Sequence, residues 1–202
     1  LLVSATKPKS VAGRLFVVSG PAGAGKGTIL ERVRSRRPDL ALSVSATTRA
    51  PRAGEVDGVS YYFLDEAEFR RRIEEGAFLE WADVHGNLYG TLQSEVEAKL
   101  KTGSLILEID PQGAMNVRDM MPDCVLLFIA PPSVEVLRER LLGRGSETPE
   151  TLERRLADAV GEMATAVSYD AVVVNDDLDE AVEEFVATMA RYEGEHAPET
   201  TR

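Results

Sequence analysis

The chain has 202 residues, 44% of them apolar, one cysteine and a formal net charge of −11, so one compact domain with room for a sizeable core and an inserted lobe is expected. Residues 175–199 carry nine acids against one arginine, a local −8 that accounts for most of the charge. The lack of a broad basic footprint argues against nucleic-acid binding and against adsorption to an anionic membrane, and no apolar run approaches the roughly 20 residues of a membrane span. Residues 1–10 lack the apolar stretch of a signal peptide, and Cys124 lies in the apolar run Cys124 to Ile129, where a buried, reduced thiol is expected. A cytoplasmic protein with a small anionic ligand held by local charge is the first expectation.

In chain order, Arg-Leu-Phe-Val-Val-Ser19 is a short β-branched run, followed by a Gly-rich turn and the helical pattern Ile29 to Arg37. Apolar runs recur at Leu42 to Ser45, Ser104 to Ile109, Val125 to Ile129 and Ala171 to Val174, each beside a helical stretch. Continuous runs predict strands covered on both faces. The last helix is predicted from Leu178, Ala181, Val182, Phe185, Val186 and Met189 at helical spacing, with Asp177 and Glu180 as a capping box. This alternation predicts a parallel, doubly wound α/β sheet. Residues 46–91 break the rhythm: Tyr61 to Leu64, Phe78 to Ala82 and the turn His85-Gly86-Asn87 predict small antiparallel strands around one helix, Glu66 to Glu75, in an inserted lobe. Gly143 to Pro149 separates two helices and has the glycines of a hinge for a lid.

The stretch Gly20-Pro-Ala-Gly-Ala-Gly-Lys-Gly-Thr28 has P-loop spacing. Its glycines let successive N–H groups turn toward phosphate oxygens, the helix N-terminus adds its positive dipole end, and Lys26 reaches the outer phosphates. Gly27 stands where a Ser or Thr hydroxyl usually meets Mg²⁺, which leaves Thr28, one residue along, as the metal candidate, acting through water. Leu105-Ile-Leu-Glu-Ile-Asp110 is an apolar strand that delivers Glu108 and Asp110 to one face, at the end where ligands bind such sheets. Either acid can orient magnesium waters or the acceptor. Asp110-Pro-Gln-Gly113 also fits a short GTPase element, but the chain has no Asn-Lys-x-Asp guanine reader. In Ser43 to Arg52, Arg49 and Arg52 stand three apart with no acid between residues 43 and 54, and two guanidinium forks suit a monophosphate.

These motifs, with Glu-Trp81, Gly-Asn-Leu-Tyr-Gly90, Ile-Ala-Pro-Pro-Ser133, Arg-Gly145 and Val-Asn-Asp-Asp177, resemble those of the bacterial guanylate kinase family over roughly residues 14–190. The resemblance implies a P-loop NTPase-type core (11–45, 92–137 and 168–193), a mixed α/β GMP-binding lobe (46–91) and a helical lid with its flanking helices (138–167), with 1–10 and 194–202 as flexible tails. It implies transfer of a phosphoryl group from Mg-ATP to GMP, and to dGMP, in the cytoplasm, with oligomeric state left open. Carried over, Gly20, Ala22, Gly23, Ala24, Gly25, Lys26, Gly27, Thr28, Asn175 and Asp176 bind ATP. Arg49, Arg52, Tyr61 and Tyr89 hold the GMP phosphate, Ser45, Glu80 and Thr91 read guanine, and Glu108 and Asp110 complete the acceptor site. Lys26, Arg52, Arg144 and Arg155 supply the charge for transfer, with Arg140 a further lid candidate. Trp81 is expected in the core and Asn175–Asp177 equally suit a helix cap. Neither His85, in a turn, nor His196, in the tail, has a catalytic role in this reading. Two alternatives stand beside it, a kinase for another nucleoside monophosphate and a catalytically inactive interaction module of the same fold.

Overall fold

The computed structural model of the chain describes residues 13–84, 86–143 and 149–195. Five strands, β1 (Leu15–Ser19), β2 (Ala41–Leu42), β7 (Leu105–Glu108), β8 (Val125–Ala130) and β9 (Ala171–Val174), form one parallel sheet in the order β2-β7-β1-β8-β9. Their side chains alternate between two cores. Phe16, Val18, Ile106, Leu127 and Ile129 face α1 (Lys26–Arg36) and α7 (Leu178–Gly194). Leu15, Val17, Leu105, Leu107 and Leu126 face α3 (Gln93–Leu100) and α4 (Pro111–Met120). Burial on both faces is why β1, β7 and β8 read as unbroken apolar runs; β9, at the sheet edge, leaves Val172 and Val174 exposed. Helix α7 begins where the Asp177 side chain accepts from the N–H groups of Asp179 and Glu180 and buries Ala181, Val182, Phe185 and Met189. Cys124 is a buried free thiol.

The second sheet holds β4 (Tyr62–Phe63), β3 (Ala46–Thr47), β6 (Asn87–Leu92) and β5 (Phe78–Val84), in that order. It is mixed, because β3 pairs parallel with β4 and antiparallel with β6. Helix α2 (Glu66–Glu74), capped by Asp65, seals its small core by stacking Phe69 on Phe78 at 4.3 Å between ring centroids. Two further helices, α5 (Val134–Leu142) and α6 (Pro149–Ala164), pack through Leu137, Leu141, Leu152, Leu156 and Ala159.

Two sequence expectations need correction. The run Leu42 to Ser45 is not one core strand: the chain leaves the first sheet after Leu42, spends Ser43–Ser45 crossing over, and enters the second at Ala46. Trp81 is 45% exposed and not core. The register of β5 shifts between Phe78 and Glu80, and from there alternation sends Glu80 inward and Trp81 outward. The expected hinge, from Arg144 onward, and the tail beyond Glu195 lie outside the described residues, as does His85.

Phe185, fully buried between α7 and the sheet, tests this packing. Phe185→Ala is expected to lower unfolding free energy by about 3–5 kcal/mol, read as a reduced denaturant midpoint with an unchanged slope.

Candidate functional site

The Gly-rich turn joins β1 to α1. Gly25 is the N-cap of α1 with φ +91°, and no side chain caps the helix or places an acid in its first turn. Its N–H groups are thus left for an anion. No residue with a Cβ fits at Gly20 or Gly25, since the added carbon would lie 2.1 Å from the Ile129 carbonyl oxygen or 2.3 Å from Asn175 Nδ2. Lys26 Nζ donates to the carbonyls of Gly20 at 2.6 Å and Pro21 at 3.2 Å, which folds it back over the loop. Thr28 is exposed on α1.

Asn175, 6% exposed, acts on this loop from behind. Its Nδ2 donates to Ala24 O at 2.7 Å, its backbone N–H donates to Ala130 O, and its carbonyl accepts from Arg140 Nη2 at 2.9 Å. The side chain therefore ties β9 to the loop. Asp176 is exposed beside it.

A cavity of about 430 Å³ opens in front of the loop, lined by Gly20, Ala22, Lys26, Tyr61, Glu108, Ile109, Asp110 and Glu162. Glu108 is exposed to this cavity at the end of β7; the neighbouring protein raises its pKa and Lys26 lowers it. Asp110 caps α4 by accepting from Gly113 N–H at 2.9 Å. Glu162, half-buried on α6, was not singled out from sequence. Burial raises its pKa, Lys26 lowers it, and Asp110 and Asp158 raise it. Its one sequence signal is position, seven residues and about two helical turns after Arg155, on the same face of α6. Arg155 is exposed on that helix, and Arg144 lies outside the described residues.

A second cavity, of about 220 Å³, shares Tyr61, Glu108, Ile109 and Asp110 with the first and extends to Ser45, Glu80, Ala82, Val84, Tyr89 and Gly90. The two form one groove. Arg49, Tyr61 and Tyr89 gather along it: the Arg49 guanidinium stands 5.3 Å from the Tyr61 ring centroid, and the two tyrosines meet edge to face at 6.1 Å. The threonines before Arg49 fix the loop, with Thr47 Oγ1 accepting from Arg49 N–H and Thr48 Oγ1 from Leu88 N–H. Arg52 is exposed.

Glu80 is the most confined acid of the groove, 7% exposed, with Oε1 accepting from the buried Thr91 hydroxyl at 2.6 Å. Burial raises its pKa, the Thr91 bond lowers it, and Asp110 raises it. A carboxylate placed this way, with acceptor capacity left over, suits a ligand edge bearing paired N–H donors. Among the described residues no three His, Cys, Asp or Glu side chains form a metal site, and no helix is long and apolar enough to cross a membrane.

A family model described as guanylate kinase matches residues 12–192. The chain is 53% identical to the guanylate kinase of Rubrobacter xylanophilus, over 89% of this chain and 94% of that one. It is 50% identical to that of Thermobifida fusca, over 88% and 91%. A crystal structure of guanylate kinase from Anaplasma phagocytophilum superposes with a TM-score of 0.69 at 35% identity, covering 95% of this chain and 89% of that one.

An acid whose folded pKa lies above its unfolded value costs stability as pH rises through the folded value. Glu80→Gln keeps the acceptor for Thr91 and removes that cost. It is expected to raise the Tm of the unliganded protein near pH 8, with the gain shrinking as pH falls toward 4.5, the ordinary glutamate value. Thermal melts across that range check it, and a lower Tm for the variant near pH 8 contradicts it.

Proposed function

The chain belongs to the guanylate kinase family, an ATP:GMP phosphotransferase, and we propose how its residues divide that work. The carrying observation is the single groove in which a buried, hydroxyl-bound carboxylate stands at one end, Tyr61 and Tyr89 with Arg49 against Tyr61 in the middle, and the P-loop at the other. Guanine offers N1–H and a 2-amino group, which Glu80 accepts, and an O6 acceptor, to which the Ser45 hydroxyl donates, while Thr91 spends its one hydrogen holding Glu80 in place. Adenine presents the wrong pattern, and a site with buried polar groups left unpaired rejects it strongly. Arg49, Arg52, Tyr61 and Tyr89 hold the GMP phosphate, while Glu108 and Asp110 orient magnesium waters or the acceptor nucleotide.

On that side the loop from Gly20 to Thr28 wraps the ATP phosphates with its N–H groups, and Lys26 leaves its loop carbonyls for the outer phosphates. Asn175 supports the loop, and the resemblance assigns Asp176 to the ATP base. Transfer needs in-line positioning and charge stabilisation with no protein nucleophile. Lys26, Arg52, Arg155 and, from outside the described residues, Arg144 supply that charge.

The donor set fits Mg²⁺, which binds through one or two carboxylates, substrate phosphates and waters without a dedicated protein cage. Glu108, Asp110 and Glu162 bring hard oxygens to the phosphate cavity, and Thr28 reaches the ion only through water. The ion would offset charge on the outer phosphates. Cytoplasmic location and use of dGMP alongside GMP belong to the same reading.

Three measurements test the assignment. A coupled assay with ATP should consume GMP and dGMP while AMP, UMP and CMP react at least about 100-fold more slowly in kcat/KM. Lys26→Ala should abolish turnover in a folded protein. Arg155→Ala should lower kcat by a factor of about a few hundred to a thousand with little change in the KM for GMP; an effect confined to KM would move Arg155 to ground-state binding.

A further inference from the structure

The Arg49 guanidinium carries five N–H donors, and three are committed within its own loop. Nη1 donates to Ala50 O at 2.7 Å and to Glu55 Oε2 at 3.0 Å, and Nη2 donates to Glu55 Oε1 at 2.8 Å. Glu55 thus grips the end of the fork and leaves the side edge, Nε–H with the second Nη2–H, outside its hold. That edge is the other bidentate face of a guanidinium and fits two oxygens of a phosphate. The Tyr89 hydroxyl also acts on this guanidinium, while the Tyr61 ring lies under it.

Glu55 does more than neutralise. Its Oε2 also accepts from Arg52 N–H at 2.7 Å, and Arg52 O accepts from Glu55 N–H at 3.0 Å, so one carboxylate closes the turn from Arg49 to Glu55 around both loop arginines. The pair is not a surface ornament: the Arg49 and Glu55 side chains are 14% and 21% exposed. Three charge-assisted bonds on one carboxylate hold it ionised, with the Arg49 bond first and the Arg52 N–H second in keeping its pKa below the usual glutamate range.

We propose that Glu55 is a positioning residue for the acceptor phosphate, clamping Arg49 by the end of its fork so that the side edge is aimed, before substrate arrives, at the place where Tyr61 and Tyr89 converge. This rests on the reading of Arg49 as a GMP-phosphate ligand. It explains why an acid sits beside a site for an anion. A long arginine that must be immobilised on binding loses affinity to side-chain ordering, and a clamp made in the free protein removes that loss. Because Glu55 holds the end of the fork, the phosphate does not have to displace it. Glu55 itself touches no substrate.

The test compares Glu55→Gln, Arg49→Ala and the double variant with the parent enzyme, measuring the KM for GMP, the KM for ATP and the inhibition constant of guanosine, which lacks the phosphate. Glu55→Gln is expected to raise the KM for GMP about tenfold, with the ATP KM and the guanosine constant unchanged. In the Arg49→Ala background the same change should add nothing, since the two residues act as one unit. Four results would overturn the proposal. An unchanged or lowered KM for GMP in Glu55→Gln, with Arg49→Ala still impaired, removes Glu55 and keeps the phosphate site. Equal weakening of guanosine and GMP marks a general distortion of the lobe. A full further loss in the double variant separates Glu55 from Arg49. Arg49→Ala with normal GMP kinetics overturns the phosphate-site reading itself.

Discussion

A carboxylate taken out of water is the constraint on which the acceptor half of this molecule is arranged. Glu80 is nearly inaccessible and has one hydroxyl partner, Thr91. A buried charge with incomplete hydrogen bonding is costly, so the neighbouring backbone must leave it space and no competing hydrophobe. Gly113 does this for the carboxylate, and Gly90 clears the strand backbone behind it. A Cβ at Gly113, in α4 of the first sheet's layer, would lie 3.1 Å from Glu80 Oε2, and a Cβ at Gly90, on β6, would lie 2.9 Å from both the Glu80 carbonyl oxygen and Phe78 Cδ1. Strand β5 of the second sheet can therefore rest on α4 of the first, and that contact sets the Glu80 end of the groove beside Asp110 at the start of the same helix. The residual demand for donors at Glu80 is what a guanine edge is proposed to satisfy.

The cations around the site rest on acceptors supplied by the protein, two of them from their own loops. Lys26 sits on the carbonyls of Gly20 and Pro21, Arg49 on Ala50 O and Glu55, and Arg140 on the carbonyl of Asn175. These contacts hold the cations in place; in the proposed reading Lys26 exchanges its carbonyls for phosphate oxygens, whereas Arg49 keeps Glu55 and offers its second edge. Asn175 links two of these regions, since the residue whose carbonyl receives Arg140 also donates to Ala24 of the P-loop. The α5 helix that carries Arg140 and the phosphate loop are thereby joined through one buried amide.

Much of the core was legible because its central strands are covered on both faces, which leaves unbroken apolar runs at β1, β7 and β8; β9 is apolar at the sheet edge with Val172 and Val174 exposed. The same rule failed at Leu42 to Ser45, where an apolar-looking segment is a crossing between two sheets and only tertiary pairing marks the break. It failed differently at Glu80 and Trp81. Hydrophobicity alone puts the tryptophan inside and the glutamate outside; the register shift in β5 and the need for a buried acceptor reverse them. The P-loop was legible because its glycines meet local backbone demands, and at Gly20 and Gly25 the structure gives the steric reason. Glu162 and Glu55 were not, since both owe their place to partners: Glu162 reaches the phosphate cavity only because α6 lies across it, and an acid six residues from Arg49 has no pattern of its own. Arg144 lies outside the described residues, so its role rests on resemblance.

Competition between GMP and IMP tests the role given to Glu80 most directly, because IMP keeps N1–H and O6 and lacks only the 2-amino group. The parent enzyme should prefer GMP, and Glu80→Gln should lower kcat/KM for GMP by about 1.5–3 kcal/mol, the range for hydrogen bonds to charged groups, while narrowing the gap to IMP. A folded Glu80→Gln enzyme that retained the full preference for GMP over IMP would show that this buried carboxylate does not read the base.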